Sequence, residues 1–209
     1  MKLVGLISSG IDSPVATFLM SKKTDEIILI HGDITPFTDK REVENFFDLA
    51  RHLKKICKCN IKVYLTPHGN SLNIFKQNCD NKFTCIFCKR MLLRYAETLA
   101  EKNNCDGILM GDSLGQVASQ TLQNIKTIEQ AVSIPVLRPL IGFDKQEVVK
   151  IAKEIGTYEL SIRASMDCSA VPNKPSTQSK LEKIMKEEKL LDVKELVKKA
   201  ISKSKIVKI

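Results

Sequence analysis

The residues with the clearest chemical potential lie near the amino terminus, where residues 8–13 read SSGIDS. They follow the apolar run 3–7, which is typical of a buried strand, and they precede Pro14, which suits the first turn of a helix. We expect Asp12 or Ser13 to cap that helix. Because a strand, a tight turn and a helix amino terminus direct several backbone N–H groups at one point, the segment predicts an anion site. The phosphates of a nucleotide are the expected occupant.

This turn has neither the GxxxxGK[ST] nor the GxGxxG spacing of the common phosphate loops. It resembles the pyrophosphatase loop SGGxDS of enzymes that cleave ATP to AMP and pyrophosphate while they activate an oxygen for replacement. An ordinary capped turn is the structural alternative. Ser9 stands where that loop has its first glycine. If the position needs a positive φ, the serine adds a strain of roughly 1–2 kcal/mol.

Apolar, β-branched runs alternate with helical patterns along the rest of the chain. The predicted strands cover residues 2–7, 26–30, 61–65, 107–110 and 134–137, and the predicted helices cover 14–21, 40–55, 72–77, 89–103, 115–129 and 145–155. This alternation predicts an α/β fold in which a five-stranded parallel sheet carries helices on both faces. Ligands of such sheets bind at the carboxyl ends of the strands, so the turns at Ser8, His31 and Gly111 are expected to meet there.

Length and charge predict one main domain with a basic extension. Residues 1–177 hold the alternating pattern, and residues 178–209 form a lysine-rich helical extension, with helices over 179–189 and 193–203 and a capping box at Asp192 and Glu195. The extension has ten lysines against five acidic residues, in a chain of formal net charge +9. It serves either an RNA partner or packing on the core. We expect a cytoplasmic protein, because the sequence has neither a membrane-spanning run nor a signal-peptide pattern.

Two further motifs carry polar groups suited to a nucleotide. Residues 111–121, GDSLGQVASQT, follow a strand, and Gln116, Ser119 and Gln120 offer neutral donors and acceptors for a ribose or a base edge. A polar helix start explains the same pattern. Lys145 begins a predicted helix, where the helix dipole disfavours a cation. A phosphate partner accounts for that position, and a solvated lysine is the alternative.

Several long motifs identify a family resemblance over about residues 1–180. The motifs are SSGIDSPVA, CIFCKRMLLRYAE, MGDSLGQVASQT, PVLRPLIGFDK and IAKEIGTYE, followed by Asp167-Cys168. They resemble the catalytic domain of tRNA 4-thiouridine synthetases, the tRNA sulfurtransferase family that is also tied to thiamine thiazole synthesis. The resemblance implies an adenine nucleotide alpha hydrolase-like PP-loop fold with ATP and Mg²⁺ as cofactors. It also implies an enzyme that adenylates a uridine oxygen of tRNA and replaces it with sulfur.

The same resemblance implies roles for individual residues. The phosphate loop would comprise Ser8, Ser9, Gly10, Asp12 and Ser13, and the other nucleotide-binding residues would be Leu6, Ile7, His31, Gly32, Lys89, Gly111 and Gln120. Asp12, Lys145 and Cys168 would be the catalytic residues, with Cys168 handling sulfur.

The cysteines suggest how sulfur is carried. Cys85 and Cys88 form a CxxC pair, and Cys168 adds a third soft ligand from far along the chain. Some archaeal and bacterial relatives among tRNA thiolases use such a three-cysteine cluster, so we expect a [4Fe-4S] cluster whose fourth iron is open to sulfide. One alternative is a structural zinc site with Cys79 as the fourth ligand. Another is a Cys88–Cys168 redox pair that uses persulfide chemistry.

The remaining cysteines and two histidines are interpreted as structural. Cys57, Cys59 and Cys105 fit packing or surface positions, and neither His52 nor His68 has an expected role.

The family's ferredoxin-like, THUMP and rhodanese domains, which grip tRNA or deliver sulfur, have no counterpart in this sequence. We therefore expect a sulfide or persulfide donor and, to dock tRNA, either a separate tRNA-binding protein or a homodimer. The same activation of another tRNA base or of a small molecule is the alternative activity. A non-catalytic adenine-nucleotide-binding subunit is the alternative class.

Overall fold

Six strands form one sheet in the computed structural model, which describes residues 1–209, and their order is β5-β4-β1-β2-β3-β6. Their bounds are β1 Lys2–Leu6, β2 Glu26–Asp33, β3 Asn60–Pro67, β4 Gly107–Leu109, β5 Val136–Leu137 and β6 Lys205–Ile206. The five predicted strands are all present and run parallel to one another. The sheet has one strand more than predicted, because β6 pairs antiparallel with the outer edge of β3.

Nine α-helices connect and cover these strands. They are α1 Asp12–Ser21, α2 Lys40–Ile56, α3 Gly69–Asn78, α4 Thr84–Asn103, α5 Leu122–Glu129, α6 Lys145–Glu154, α7 Tyr158–Ser161, α8 Leu181–Glu188 and α9 Val193–Ser202. The single helix predicted over 115–129 is wrong. Gly115 has φ +76°, a short 3-10 turn covers Ala118–Gln120, and Thr121 caps α5 by accepting from the backbone N–H of Asn124. The glycine and the capping threonine break the helix at these points.

Helices cover both faces of the sheet, as predicted. Successive residues of β1 point to opposite faces, so Leu3 joins one buried cluster with α1, α2 and α6, while Val4 joins the other with α3, α4, α5, α8 and α9. This two-sided burial accounts for the nearly continuous apolar runs of the central strands. None of the nine helices combines the length and the apolar composition needed to cross a bilayer.

The basic extension shares its core with the rest of the chain. Ile184, Leu196 and Ala200 are buried in the same cluster as α4, and the N–H of Val207 donates to the Val63 carbonyl at 2.9 Å. The proposed domain boundary between residues 177 and 178 remains a prediction, but the extension does not form a separate core.

The predicted capping box of α9 is only half made. The Asp192 side chain accepts from the Glu195 N–H at 2.9 Å, without the reciprocal bond from the glutamate. A complete capping box lies instead at the start of α6, between Asp144 and Glu147. The capping box therefore fixes the direction in which the preceding loop enters α6, and with it the position of Lys145, the first residue of that helix.

Candidate nucleotide and sulfur site

A cavity of about 240 Å³ opens at the carboxyl ends of β1, β2 and β4. Ten of the twelve residues predicted to bind nucleotide line it, namely Leu6, Ile7, Ser8, Gly10, Asp12, Ser13, Gly32, Lys89, Gly111 and Gln120. Ser9 and His31 do not line the cavity; they lie behind it. The segments at Ser8 and Gly111 therefore border one space, as expected, but the turn expected at His31 is absent because β2 continues to Asp33, and Gly32 lines the cavity instead.

The walls of the cavity approach each other so closely that only glycine fits at the end of β4. A Cβ atom on Gly111 would lie 2.7 Å from the backbone nitrogen of Ser13. Any side chain at this position would push the start of α1 away from β4. The glycine thus fixes the width of the cavity at the phosphate-loop end.

The amino terminus of α1 has no side-chain cap, so the prediction that Asp12 or Ser13 caps it is wrong. The helix begins at Asp12, and Ile11 occupies the cap position. The Ser13 hydroxyl accepts instead from the Ser8 backbone N–H at 2.9 Å, and Asp12 is paired with Lys145. Because no side chain occupies the N–H groups of the first turn, they are available to an anion in the cavity.

Ser9 adopts an unstrained backbone conformation. Asn104 is the only non-glycine residue of the chain with a positive φ, so the strain expected at Ser9 is absent. The Ser9 hydroxyl donates to Oε1 of Glu42 at 2.9 Å. A serine is therefore accommodated at this place in the loop, and its side chain has a defined partner on α2.

Asp12 and Lys145 form an ion pair at the mouth of the cavity. The Lys145 Nζ donates to Asp12 Oδ1 at 2.7 Å, and the lysine side chain is 48% exposed. A carboxylate rather than a phosphate thus accounts for the cation at the start of α6. Because the pair is exposed and the lysine stem is flexible, the ammonium can move to a phosphate oxygen when one is present.

The opposite wall is a fixed polar network around the buried carboxylate of Asp112. Lys89 donates to Asp112 at 2.7 Å, and Gln120 and Arg138 donate at 3.2 and 3.4 Å. Desolvation opposes ionisation, but the charge and hydrogen bond of Lys89 outweigh it and hold the pKa of Asp112 below its usual range. The buried Oε1 of Gln120 has no partner in the protein, which leaves an acceptor for a ligand N–H at the cavity wall.

The CxxC pair lies on the first turns of α4, beside the nucleotide cavity. Cys88 directly precedes the cavity residue Lys89. Desolvation, with smaller contributions from the thiols of Cys85 and Cys168, raises the pKa of Cys88 to about 12, so the three sulfurs are near enough to influence one another. No three His, Cys, Asp or Glu side chains are placed so that they could hold a single metal ion.

The donor chemistry of these three thiols nevertheless fits an iron–sulfur cluster. Three cysteines are soft ligands, and a cluster of several irons spans more widely separated sulfurs than a single ion does. Cys79 lies elsewhere, in the apolar cluster near Glu187 and Glu188. It is therefore poorly placed to complete a zinc site with the other three.

The structure also gives His68 a position that the sequence did not suggest. This histidine follows β3 and is fully buried, with Nε2 3.3 Å from Cys88 Sγ and Nδ1 3.3 Å from the Tyr95 hydroxyl. Ser71 Oγ lies 2.9 Å from that hydroxyl. Desolvation lowers the pKa of His68 to about 4, so the ring is neutral near pH 7. The only signal in the sequence was its place at the carboxyl end of a strand.

The fold and the loop together define the class of this chain. A parallel α/β sheet with a Ser/Gly phosphate loop between its first strand and first helix is the architecture of PP-loop nucleotide-binding domains. The family model described as thiamine biosynthesis protein (ThiI) matches residues 1–193, and the chain belongs to this family.

Relatives and solved structures agree with this assignment. The chain is 40% identical over 209 residues to a probable tRNA sulfurtransferase of Methanosarcina mazei, covering 100% of this chain and 52% of that protein. It is 42% identical over 197 residues to a protein of the same name from Methanothermobacter thermautotrophicus, covering 94% of this chain and 51% of that protein. The chain therefore spans about half the length of the curated relatives it matches.

A solved 4-thiouridine synthetase–RNA complex with bound ATP superposes with a TM-score of 0.94 at 35% identity, covering 99% of this chain and 54% of the other. The NMN synthetase of Francisella tularensis superposes with a TM-score of 0.56 at 13% identity, covering 96% of this chain and 83% of the other. That second similarity concerns the fold alone.

Proposed function

We propose that this chain is the catalytic part of an ATP-dependent tRNA sulfurtransferase that makes 4-thiouridine. The observation that carries the proposal is the placement of nucleotide and sulfur groups on one helix. Cys85 and Cys88 lie in the first turns of α4, and Lys89, the next residue, lines the cavity beside the phosphate loop. A base activated with ATP in this cavity is therefore next to the cysteines that would hold sulfur.

The first step needs groups that stabilise a departing pyrophosphate. The uridine O4 attacks the α-phosphorus of ATP, the bond to the β-phosphate oxygen breaks, and pyrophosphate leaves. The uncapped N–H groups of α1 and the mobile ammonium of Lys145 are suited to the charge that grows on the phosphates. Asp12 is the partly exposed carboxylate at the loop and would help to hold Mg²⁺ together with the phosphates, since Asp112 is already surrounded by donors.

The second step replaces the activated oxygen. Sulfur held at Cys85, Cys88 and Cys168 attacks C4 of the adenylated base, and AMP leaves with the former O4. When bound, an iron–sulfur cluster on these cysteines would supply an iron without a protein ligand that can hold sulfide. In the alternative, Cys168 carries a persulfide whose outer sulfur attacks C4. The Cys88 thiol then forms a disulfide with Cys168 and releases the thiolated base.

An RNA substrate agrees with the charge of the chain and with its structural neighbour. The formal net charge is +9, and the similar 4-thiouridine synthetase was solved in complex with RNA. We propose tRNA as the acceptor and a sulfide or persulfide compound as the sulfur donor.

Pyrophosphate release from ATP tests the activation step. We expect release that depends on bulk tRNA and is lost in Asp12→Ala. The variant should remain folded, because this side chain lies at the loop and not in the core. Free uridine and uridine-free RNA serve as control acceptors. Release with small acceptors but not with tRNA would assign the activity to another substrate, and no release under any condition would contradict an activating enzyme.

Anaerobic purification followed by iron, sulfide and zinc analysis tests the sulfur site. Replacing Cys85, Cys88 or Cys168 by Ala should remove bound iron and thiolation together while ATP binding persists, because the phosphate loop lies on other elements. Cys105→Ala is the matched control, since this thiol packs against the other end of α4. Stoichiometric zinc without iron, with activity sustained by a persulfide donor, would favour covalent sulfur transfer through Cys168.

A further inference from the structure

The back of the phosphate loop is tied to α2 through a carboxylate that no motif singled out. Ser9 Oγ donates to Glu42 Oε1 at 2.9 Å, and His31 Nε2 lies 3.0 Å from Glu42 Oε2. The other ring nitrogen of His31 lies 3.0 Å from the carbonyl of Ile7, the residue that ends the run into the loop. Glu42 thus connects the middle of the loop to its start through a single buried imidazole.

The donor count fixes where the protons of this cluster lie. A backbone carbonyl only accepts, so Nδ1 of His31 carries a proton toward Ile7. A second proton must lie between Nε2 and Glu42, because two acceptors do not stay 3.0 Å apart with nothing between them. Desolvation opposes the charge of Glu42, yet the hydrogen bonds from His31 and Ser9 keep its pKa below the usual value. The His31–Glu42 pair is therefore neutral as a unit.

The surroundings of the pair keep it in one place. The His31 ring stacks on Phe46 with ring centroids 4.2 Å apart, and both residues are almost fully buried. Phe46 lies one helical turn beyond Glu42 on α2, so the same helix holds both partners of the imidazole. A buried and fully bonded cluster of this kind holds one geometry.

We propose that Glu42 is a positioning residue for the phosphate loop. Its side chain holds Ser9 in the orientation that leaves the loop's N–H groups facing the cavity, and the proton shared with His31 cancels a charge that would otherwise repel polyphosphate. Ser9 is then more than a tolerated substitute for the glycine of SGGxDS, since its hydroxyl supplies the bond that a glycine lacks. This inference rests on the proposed ATP-binding function.

The test compares the affinities of ATP and AMP, because only ATP places its β- and γ-phosphates along the loop. Glu42→Ala should weaken ATP binding about tenfold, the typical effect of losing a hydrogen bond to a charged group. AMP affinity should stay within about twofold, because AMP lacks the β- and γ-phosphates that the loop would hold. Glu42→Gln should restore ATP affinity, because its amide can accept from Ser9, donate to His31 Nε2 and keep the cluster neutral.

Two further variants separate positioning from simple destabilisation. Ser9→Ala removes the same contact from the loop side and should weaken ATP binding by a similar factor, with no further loss when it is combined with Glu42→Ala. It also keeps the test available should Glu42→Ala fold poorly. Glu44→Ala is the matched control, since this residue is an exposed acid on the same helix.

Equal losses for ATP and AMP in Glu42→Ala would assign Glu42 to the stability of the fold and overturn the inference. Failure of Glu42→Gln to restore binding would also overturn it, because the negative charge itself would then be required. ATP binding by the wild type with no effect of either variant would contradict this inference alone. Absence of ATP binding by the wild type would contradict the proposed function and, with it, the positioning role.

Discussion

Two ion pairs of this molecule have the same chemistry and opposite surroundings. At the cavity mouth, Lys145 and Asp12 are 48% and 24% exposed and share a single 2.7 Å hydrogen bond. At the junction of α4 and α8, Arg90 and Glu188 are 2% and 8% exposed. There the carboxylate accepts two hydrogen bonds from Arg90 and two more from Arg94, all between 2.7 and 2.8 Å.

The difference in side-chain type follows the difference in task. The planar guanidinium groups match both oxygens of one carboxylate, and once desolvated they cannot find other partners without a large penalty. The ammonium of Lys145 is a point charge on a flexible stem, so it can leave Asp12 for a phosphate at little cost. The arginine pairs with Glu188 hold the basic extension on the core. The Lys145–Asp12 pair leaves a cation at the cavity that can change partners. The number of fixed bonds, more than the charge, separates a structural pair from an exchangeable one.

The largest effect is expected at the junction. Glu188→Ala leaves the buried Arg90 and the partly buried Arg94 without their carboxylate, so the free energy of unfolding should fall by ~3–5 kcal/mol in urea titrations. Glu182→Ala, an exposed acid on the same helix, should change it by less than ~0.5 kcal/mol. ATP affinity of the folded variant should be unchanged. A loss below ~1 kcal/mol would show that the junction is as exchangeable as the cavity pair.

The cavity pair should respond in the opposite way. Lys145→Ala should slow tRNA-dependent pyrophosphate release by ~10²–10³, since charge on the phosphates grows in the transition state. Its free energy of unfolding should change by less than ~1 kcal/mol, because the pair is exposed. Lys150→Ala, an exposed lysine five residues later on α6, is the control. A change confined to the apparent ATP affinity would make Lys145 a ground-state anchor only.

The elements that surround the cavity were predictable because their signals are local. Apolar runs and turn residues marked the five parallel strands, and the topology of a parallel sheet then placed the segments at Ser8, His31 and Gly111 at one edge. The sixth strand was not predictable. Lys205–Ile206 has no alternation of its own and forms a strand only because it reaches the edge of β3.

The side-chain contacts next to the site were missed for a similar reason. Glu42 and His68 belong to no motif, and their partners Ser9 and Cys88 lie 33 and 20 residues away in the chain. Each meets its partner only after two elements pack together. Arg90 likewise reads as one basic residue among many until Glu188, 98 residues later, is placed against it. Periodicity predicts which face of an element is buried, but it does not predict which polar partners meet there.

The pH dependence of stability gives a finer measure of the same contrast. The arginines lower the pKa of Glu188 to about 2 against its desolvation, while the carboxyl titrates near 4.5 when it is free. The unfolded state therefore binds this proton first as the pH falls, so the stabilisation is complete above about pH 4.5 and is lost toward about pH 2. The wild type should lose about 3 kcal/mol more than Glu188→Gln across this window. Urea titrations of both proteins at successive pH values, with the exposed-site variant Glu182→Gln as control, measure the difference. Parallel curves for the wild type and Glu188→Gln would mean that the buried carboxylate is no better paired than an exposed one.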